Sequence, residues 1–112
     1  VKYLLMIYRN ATGRDALDDA GPDALHQAHG ELIKDLMASG EFLDTKPLSR
    51  DNARTMRVLD GQIVSTDGPF TEAKEVMAGY YLVDCADLDR ATEIAARLPE
   101  APYSPIEIRE FE

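Results

Sequence analysis

Two strand-length runs that are apolar on both faces leave few folds open to this chain of 112 residues. Lys2 to Tyr8 reads Lys-Tyr-Leu-Leu-Met-Ile-Tyr, with high β propensity at Tyr3, Ile7 and Tyr8. Met77 to Cys85 puts Ala78, Tyr80 and Leu82 on one face and Gly79, Tyr81 and Val83 on the other, because side chains alternate along a strand. Strands of this kind belong at the centre of a sheet, and both faces of that sheet need cover.

The helical cover on offer is small. From Pro22 to Ser39 the period is helical, with Leu25, Ala28, His29, Leu32 and Leu36 on one stripe; Pro22 suits a first turn and Gly40 the residue after the end. Asp87 caps a second helix whose stripe is Leu88, Ala91, Ile94, Ala95 and Leu98, and Pro99 stops it. Glu41 to Leu48 reads as a short strand near an edge, where Pro47 is tolerated. Arg54 to Leu59 and Gln62 to Thr66 flank Asp60-Gly61, a strong hairpin signal. Thr71 to Glu75 reads as one helical turn capped by Thr71, and Ile106 and Ile108 alternate with Glu107 and Arg109 in a last strand. Arg9 to Gly21 is polar and acidic and reads as a surface loop.

This order predicts one α+β domain over residues 1–112, a ferredoxin-like split βαβ with an inserted β-hairpin. Right-handed crossovers put both helices on one side of the sheet, so the other apolar face is left open. The expected cover is a second copy, a homodimer packed through the sheet faces around a barrel-like interior, a dimeric α+β barrel. The competing arrangement covers that face with the Arg9 to Gly21 loop and the short turn within one subunit.

A formal charge of −9 argues against phosphate-backbone binding, which draws on clustered Lys and Arg, so no nucleic acid is expected as a partner. The same charge argues against an anionic membrane surface, and no apolar run approaches the roughly 20 residues of a span. No signal-peptide pattern is read at the start, and the expected location is cytoplasmic. The lone cysteine, Cys85, has apolar neighbours and no adjacent His or Lys, and reads as a packing residue rather than a reactive thiol. No Gly-rich phosphate loop, Cys cluster or nucleophile elbow is present, and no cofactor is called for.

At Ser65-Thr66-Asp67-Gly68-Pro69-Phe70 a strand stops at a turn few residues permit, and Asp67 is placed to hydrogen-bond the backbone after it. Thr66-Asp67-Gly68-Pro69-Phe70-Thr71-Glu72-Ala73-Lys74-Glu75, followed by Gly79-Tyr80-Tyr81-Leu82-Val83 and Asp87-Leu88-Asp89, resembles the DGPF branch of the YCII-related family. The resemblance extends to Lys2-Tyr3-Leu4-Leu5-Met6-Ile7-Tyr8 and Ile106-Glu107-Ile108-Arg109 and so covers essentially the whole chain. It implies a ferredoxin-like dimeric α+β barrel and an active site formed by a histidine on the first helix with the aspartate of the Asp-Gly-Pro turn. Those residues correspond here to His29 and Asp67. It also implies a genomic setting beside extracytoplasmic-function sigma factors.

A carboxylate beside an imidazole orients the ring and supports general acid/base work near neutral pH. One reading is therefore a small-molecule enzyme of the lyase or isomerase type, with His29 as acid/base and Asp67 as its partner. The plain reading makes His29 a core histidine and Asp67 an organiser of its turn. A different function is a non-catalytic small-ligand-binding or regulatory protein tied to a sigma-factor system. Its ligand would be lined by Tyr3, Met6, Met56, Phe70 and Tyr81, with Arg57 and Ser65 fixing an acidic group and Lys74 a weaker candidate. His26 and His29, three apart on a helix, offer two metal ligands, with Asp67 as the third; no metal site is expected from so thin a set.

Overall fold

The computed structural model describes residues 1–10, 15, 19, 21–49, 51–69 and 76–112. In chain order the elements are β1 (Lys2–Arg9), α1 (Pro22–Ser39), β2 (Phe42–Pro47), β3 (Arg54–Leu59), β4 (Gln62–Asp67), β5 (Val76–Asp84), α2 (Leu88–Ala96) and β6 (Ile106–Glu110). Four strands form one sheet in the order β2-β5-β1-β6, every pairing antiparallel. The two strands with apolar residues on both faces are the central pair. α1 carries the chain from β1 past β5 to β2, and α2 carries it from β5 past β1 to β6, which is the ferredoxin-like α+β arrangement.

The core lies between this sheet and the helices. Tyr3, Leu5 and Ile7 of β1 and Tyr81 and Val83 of β5 pack with Leu32 and Leu36 of α1 and with Ala91, Ile94 and Ala95 of α2. Burying a Leu or Ile side chain of this kind contributes roughly 1.5–3 kcal/mol. On the opposite face Leu4, Met6, Tyr8, Tyr80 and Leu82 are only half-buried.

Local chemistry sets the element ends. Gly40 adopts φ 78°, and its N–H donates to the carbonyls of Leu36 and Met37, closing α1. The Asp87 carboxylate accepts the Arg90 N–H at 2.9 Å and opens α2. Leu88 departs from the expected stripe: it is 54% exposed, because it is the first residue of the helix and lies short of the sheet-facing surface that Ala91, Ile94 and Ala95 occupy. The surface-loop expectation for Arg9 to Gly21 is corrected at the two positions described between residues 10 and 21. Asp15 and Asp19 are helical and exposed, because a polar residue is as compatible with an exposed helix face as with a loop. The helical turn expected at Thr71 to Glu75 lies outside the described residues.

β3 and β4 form a separate two-stranded sheet. Asp60 and Gly61 both have positive φ, 50° and 77°, as a tight two-residue hairpin turn requires. Met56, Val58 and Ile63 lie on one face of the hairpin and are 57%, 60% and 77% exposed. At its base Gly68 takes φ 114°, its N–H donates to the Ala53 carbonyl at 2.8 Å, and the Thr55 hydroxyl donates to the Gly68 carbonyl at 2.9 Å. No helix among the described residues is long and apolar enough to cross a membrane.

Candidate functional site

A cavity of about 320 Å³ lies between α1 and the strands β1, β2 and β5. That volume falls in the range of small-ligand sites. α1 supplies His29 to it because His29 shares the inward stripe with Leu25 and Leu32. β5 supplies Tyr81 from its helix-facing side. Glu100 follows the stop at Pro99, and its backbone carbonyl accepts the N–H groups of Tyr103 and Ser104 and the Ser104 hydroxyl, which fixes where its side chain starts. Gly79 brings β2 close: a Cβ at that position would lie 2.9 Å from the Lys46 carbonyl oxygen. Only a residue without a side chain permits that approach.

Three groups form a chain of contacts. The Tyr81 hydroxyl lies 2.7 Å from His29 Nδ1, and the two rings are stacked with centroids 5.7 Å apart. On the other side of the imidazole, His29 Nε2 lies 2.6 Å from Glu100 Oε1. Glu100 is 2% exposed, and no aligned hydrogen bond reaches that oxygen among the described residues. The contact is therefore one of proximity rather than an aligned hydrogen bond. Burial, and then the negative charge of Glu100, push the Tyr81 phenol up to about 12, so Tyr81 keeps its proton at neutral pH. The Phe42 and Tyr81 rings meet edge-on with centroids 6.5 Å apart.

The residues expected from sequence fall in different places. His29 and Tyr81 line the cavity. Asp67 does not line it and is not in contact with His29; its side chain is 88% exposed on the hairpin, where Arg54 Nε donates to Oδ1 at 3.4 Å. That bond comes from across the hairpin rather than from the backbone after Asp67. Arg57 and Ser65 are exposed on the same hairpin, as is Met56. Tyr3 is in the core, Met6 is half-buried on the open sheet face, and Phe70 and Lys74 lie outside the described residues. His26 lines the cavity, but among the described residues no group of three or more His, Cys, Asp or Glu is placed to hold a metal. Cys85 is buried; burial pushes its thiol up, and Sγ donates to the Asp87 carbonyl at 3.6 Å.

Sequence reading missed Glu100 and Arg9. Glu100 sits in a short irregular segment without periodicity, and only its position just after a helix-stopping proline marks it. Arg9, which its polarity assigns to the start of a loop, is the last residue of β1 and lines the cavity.

An uncharacterised protein of Rhizobium meliloti (strain 1021) is 47% identical over 49 residues, a match that spans 44% of this chain and 40% of that protein. The family model described as the YCII-related domain matches residues 1–112. The chain belongs to the YCII-related domain family.

Proposed function

We propose that this cavity is the active site of a small-molecule enzyme of the lyase or isomerase type, with His29 as its acid/base and Tyr81 as the group that meets the substrate. The observation that carries the reading is the run of contacts from Glu100 through His29 to Tyr81. Nδ1 meets the phenol and Nε2 faces Glu100, so the proton reaches the cavity through the phenol. When Nδ1–H donates to the Tyr81 oxygen, the Tyr81 proton is free to turn toward a substrate oxygen. Donating it there while accepting the Nδ1 proton moves one proton from His29 to substrate, and the reverse sequence removes one. The Glu100 carboxylate offsets the charge of the imidazolium at the start of that transfer.

In this reading Glu100 takes the part of orienting carboxylate that the resemblance gives to Asp67. Asp67 instead organises the base of the hairpin with Arg54, and Asp67-Gly68-Pro69-Phe70 supports membership of the DGPF branch. A second copy packs on the half-buried face of Leu4, Met6, Tyr8, Tyr80 and Leu82, giving a homodimer through the sheets. A free, buried Cys85 suits a reducing, cytoplasmic setting.

The test is a metabolite screen by thermal shift followed by turnover measurements on each hit. His29→Gln and Tyr81→Phe are expected to lower kcat by about 10²–10⁴-fold, the usual worth of positioned acid/base groups. Asp67→Asn should stay near wild type. Binding without turnover would support a ligand-binding or regulatory protein instead.

A further inference from the structure

The cavity holds a cation, Arg9, that the proton chain does not use. Among the described lining residues Arg9 and Glu100 are the charged side chains, because Lys46, paired opposite Tyr80, turns its side chain to the other sheet face and gives the cavity only its backbone. The Glu100 carboxylate lies 2.6 Å from His29 Nε2. Arg9 is half-buried, and its Nε is fully buried with no hydrogen-bond partner among the described residues. A buried donor left without an acceptor is costly and calls for an explanation. Leu25, Ile33 and Pro47 give the remaining lining an apolar character.

We infer that the cavity binds a small organic carboxylate with an apolar body, its carboxylate held by Arg9. A guanidinium presents a planar fork that matches a carboxylate, and a bound carboxylate oxygen satisfies the stranded Nε–H. The apolar body lies along Ile33 and Pro47 toward Tyr81. This inference names the substrate class of the site proposed above and rests on that reading for the chemistry, but the binding it describes needs no turnover.

The experiment compares phenylacetate with phenylacetamide and methyl phenylacetate, which share a body and differ in charge. Binding is read by isothermal titration and by amide shift changes in the intact chain. Phenylacetate is expected to bind at least about tenfold more tightly than either neutral analogue, with shifts at Arg9, Lys46 and Tyr81. Arg9→Met should remove that preference, Arg9→Lys should retain part of it, and Arg57→Met, on the hairpin, should leave it unchanged. Equal binding of acid and amide by the wild-type protein, shifts confined to the hairpin, or a preference that survives Arg9→Met would overturn the inference. Acid-selective binding without turnover of any bound acid supports the carboxylate site and counts against the acid/base reading, so the two fail separately.

Discussion

The Tyr81 hydroxyl and His29 Nδ1 lie 2.7 Å apart across the boundary between the sheet and α1, and the phenol is pushed up to about 12 by burial and by Glu100. A hydrogen bond between two elements far apart in sequence ties the catalytic proposal to the fold itself. Removing either partner changes both.

Tyr81→Phe is expected to cost about 1–2 kcal/mol, because it leaves a half-buried imidazole nitrogen without its partner. It also changes the alkaline limb of stability. The Tyr81 pKa is raised on folding from 10.0 to about 12, so its contribution is fully present below pH 10 and is lost as pH rises toward 12. Urea unfolding followed from pH 9 to 12 should fall more steeply in wild type than in Tyr81→Phe. Parallel curves would contradict the shift.

The acid limb belongs to a different pair. Arg90 holds Glu41 by two bonds, Nη2 to Oε1 at 2.8 Å and Nε to Oε2 at 2.9 Å, and these keep the Glu41 carboxyl well down, to about 2 from 4.5. A lowered carboxyl stabilises the fold above pH 4.5, and that contribution disappears as pH falls toward 2. Glu41→Gln should flatten stability over this window and leave the alkaline limb alone, as checked by thermal unfolding from pH 2 to 6.

Much of the fold is legible in the sequence, and the reason is local. Asp60-Gly61, Gly40, Asp87 and Pro99 each act through the backbone within a few residues, and the two-faced runs at Tyr3 to Tyr8 and Tyr80-Tyr81 dictate the central strands. The site is less legible because its contacts are tertiary. His29 could be singled out from its helical stripe and the resemblance, but its carboxylate neighbour comes from the other end of the chain. Glu100 has no periodic context, so nothing in its surroundings competes with the more conspicuous Asp67. Arg57 and Ser65 lie on a hairpin that forms its own sheet, and strand patterning alone does not say where such a hairpin sits relative to a cavity.

Gly79→Ala tests how the cavity wall is built. The added Cβ meets the backbone oxygen of Lys46 at 2.9 Å, a contact that cannot be relieved by rotating a side chain. The expected cost is about 1–3 kcal/mol, the range for overpacking, together with weaker ligand binding as β2 is pushed away. Unchanged unfolding and unchanged binding would show that β2 moves freely.

The open sheet face predicts association. Leu82→Glu puts a charge among Leu4, Met6 and Tyr80 on the surface assigned to the second copy, without entering the helix-facing core. Sedimentation at micromolar concentration should show a dimer for wild type and a monomer for the variant. A wild-type monomer would remove the sheet-packed dimer.

Proton transfer at Tyr81 and His29 is read most directly by solvent exchange. Small carbonyl-containing carboxylic acids that bind are incubated with the protein in D2O, and loss of the proton on the carbon next to the carbonyl is followed by NMR. Exchange is expected to be catalysed by wild type and slowed by about 10²-fold or more in both His29→Gln and Tyr81→Phe, with Asp67→Asn unaffected. Exchange that proceeds at the wild-type rate in either His29→Gln or Tyr81→Phe, or no exchange in any acid that binds, would contradict proton transfer at these two residues.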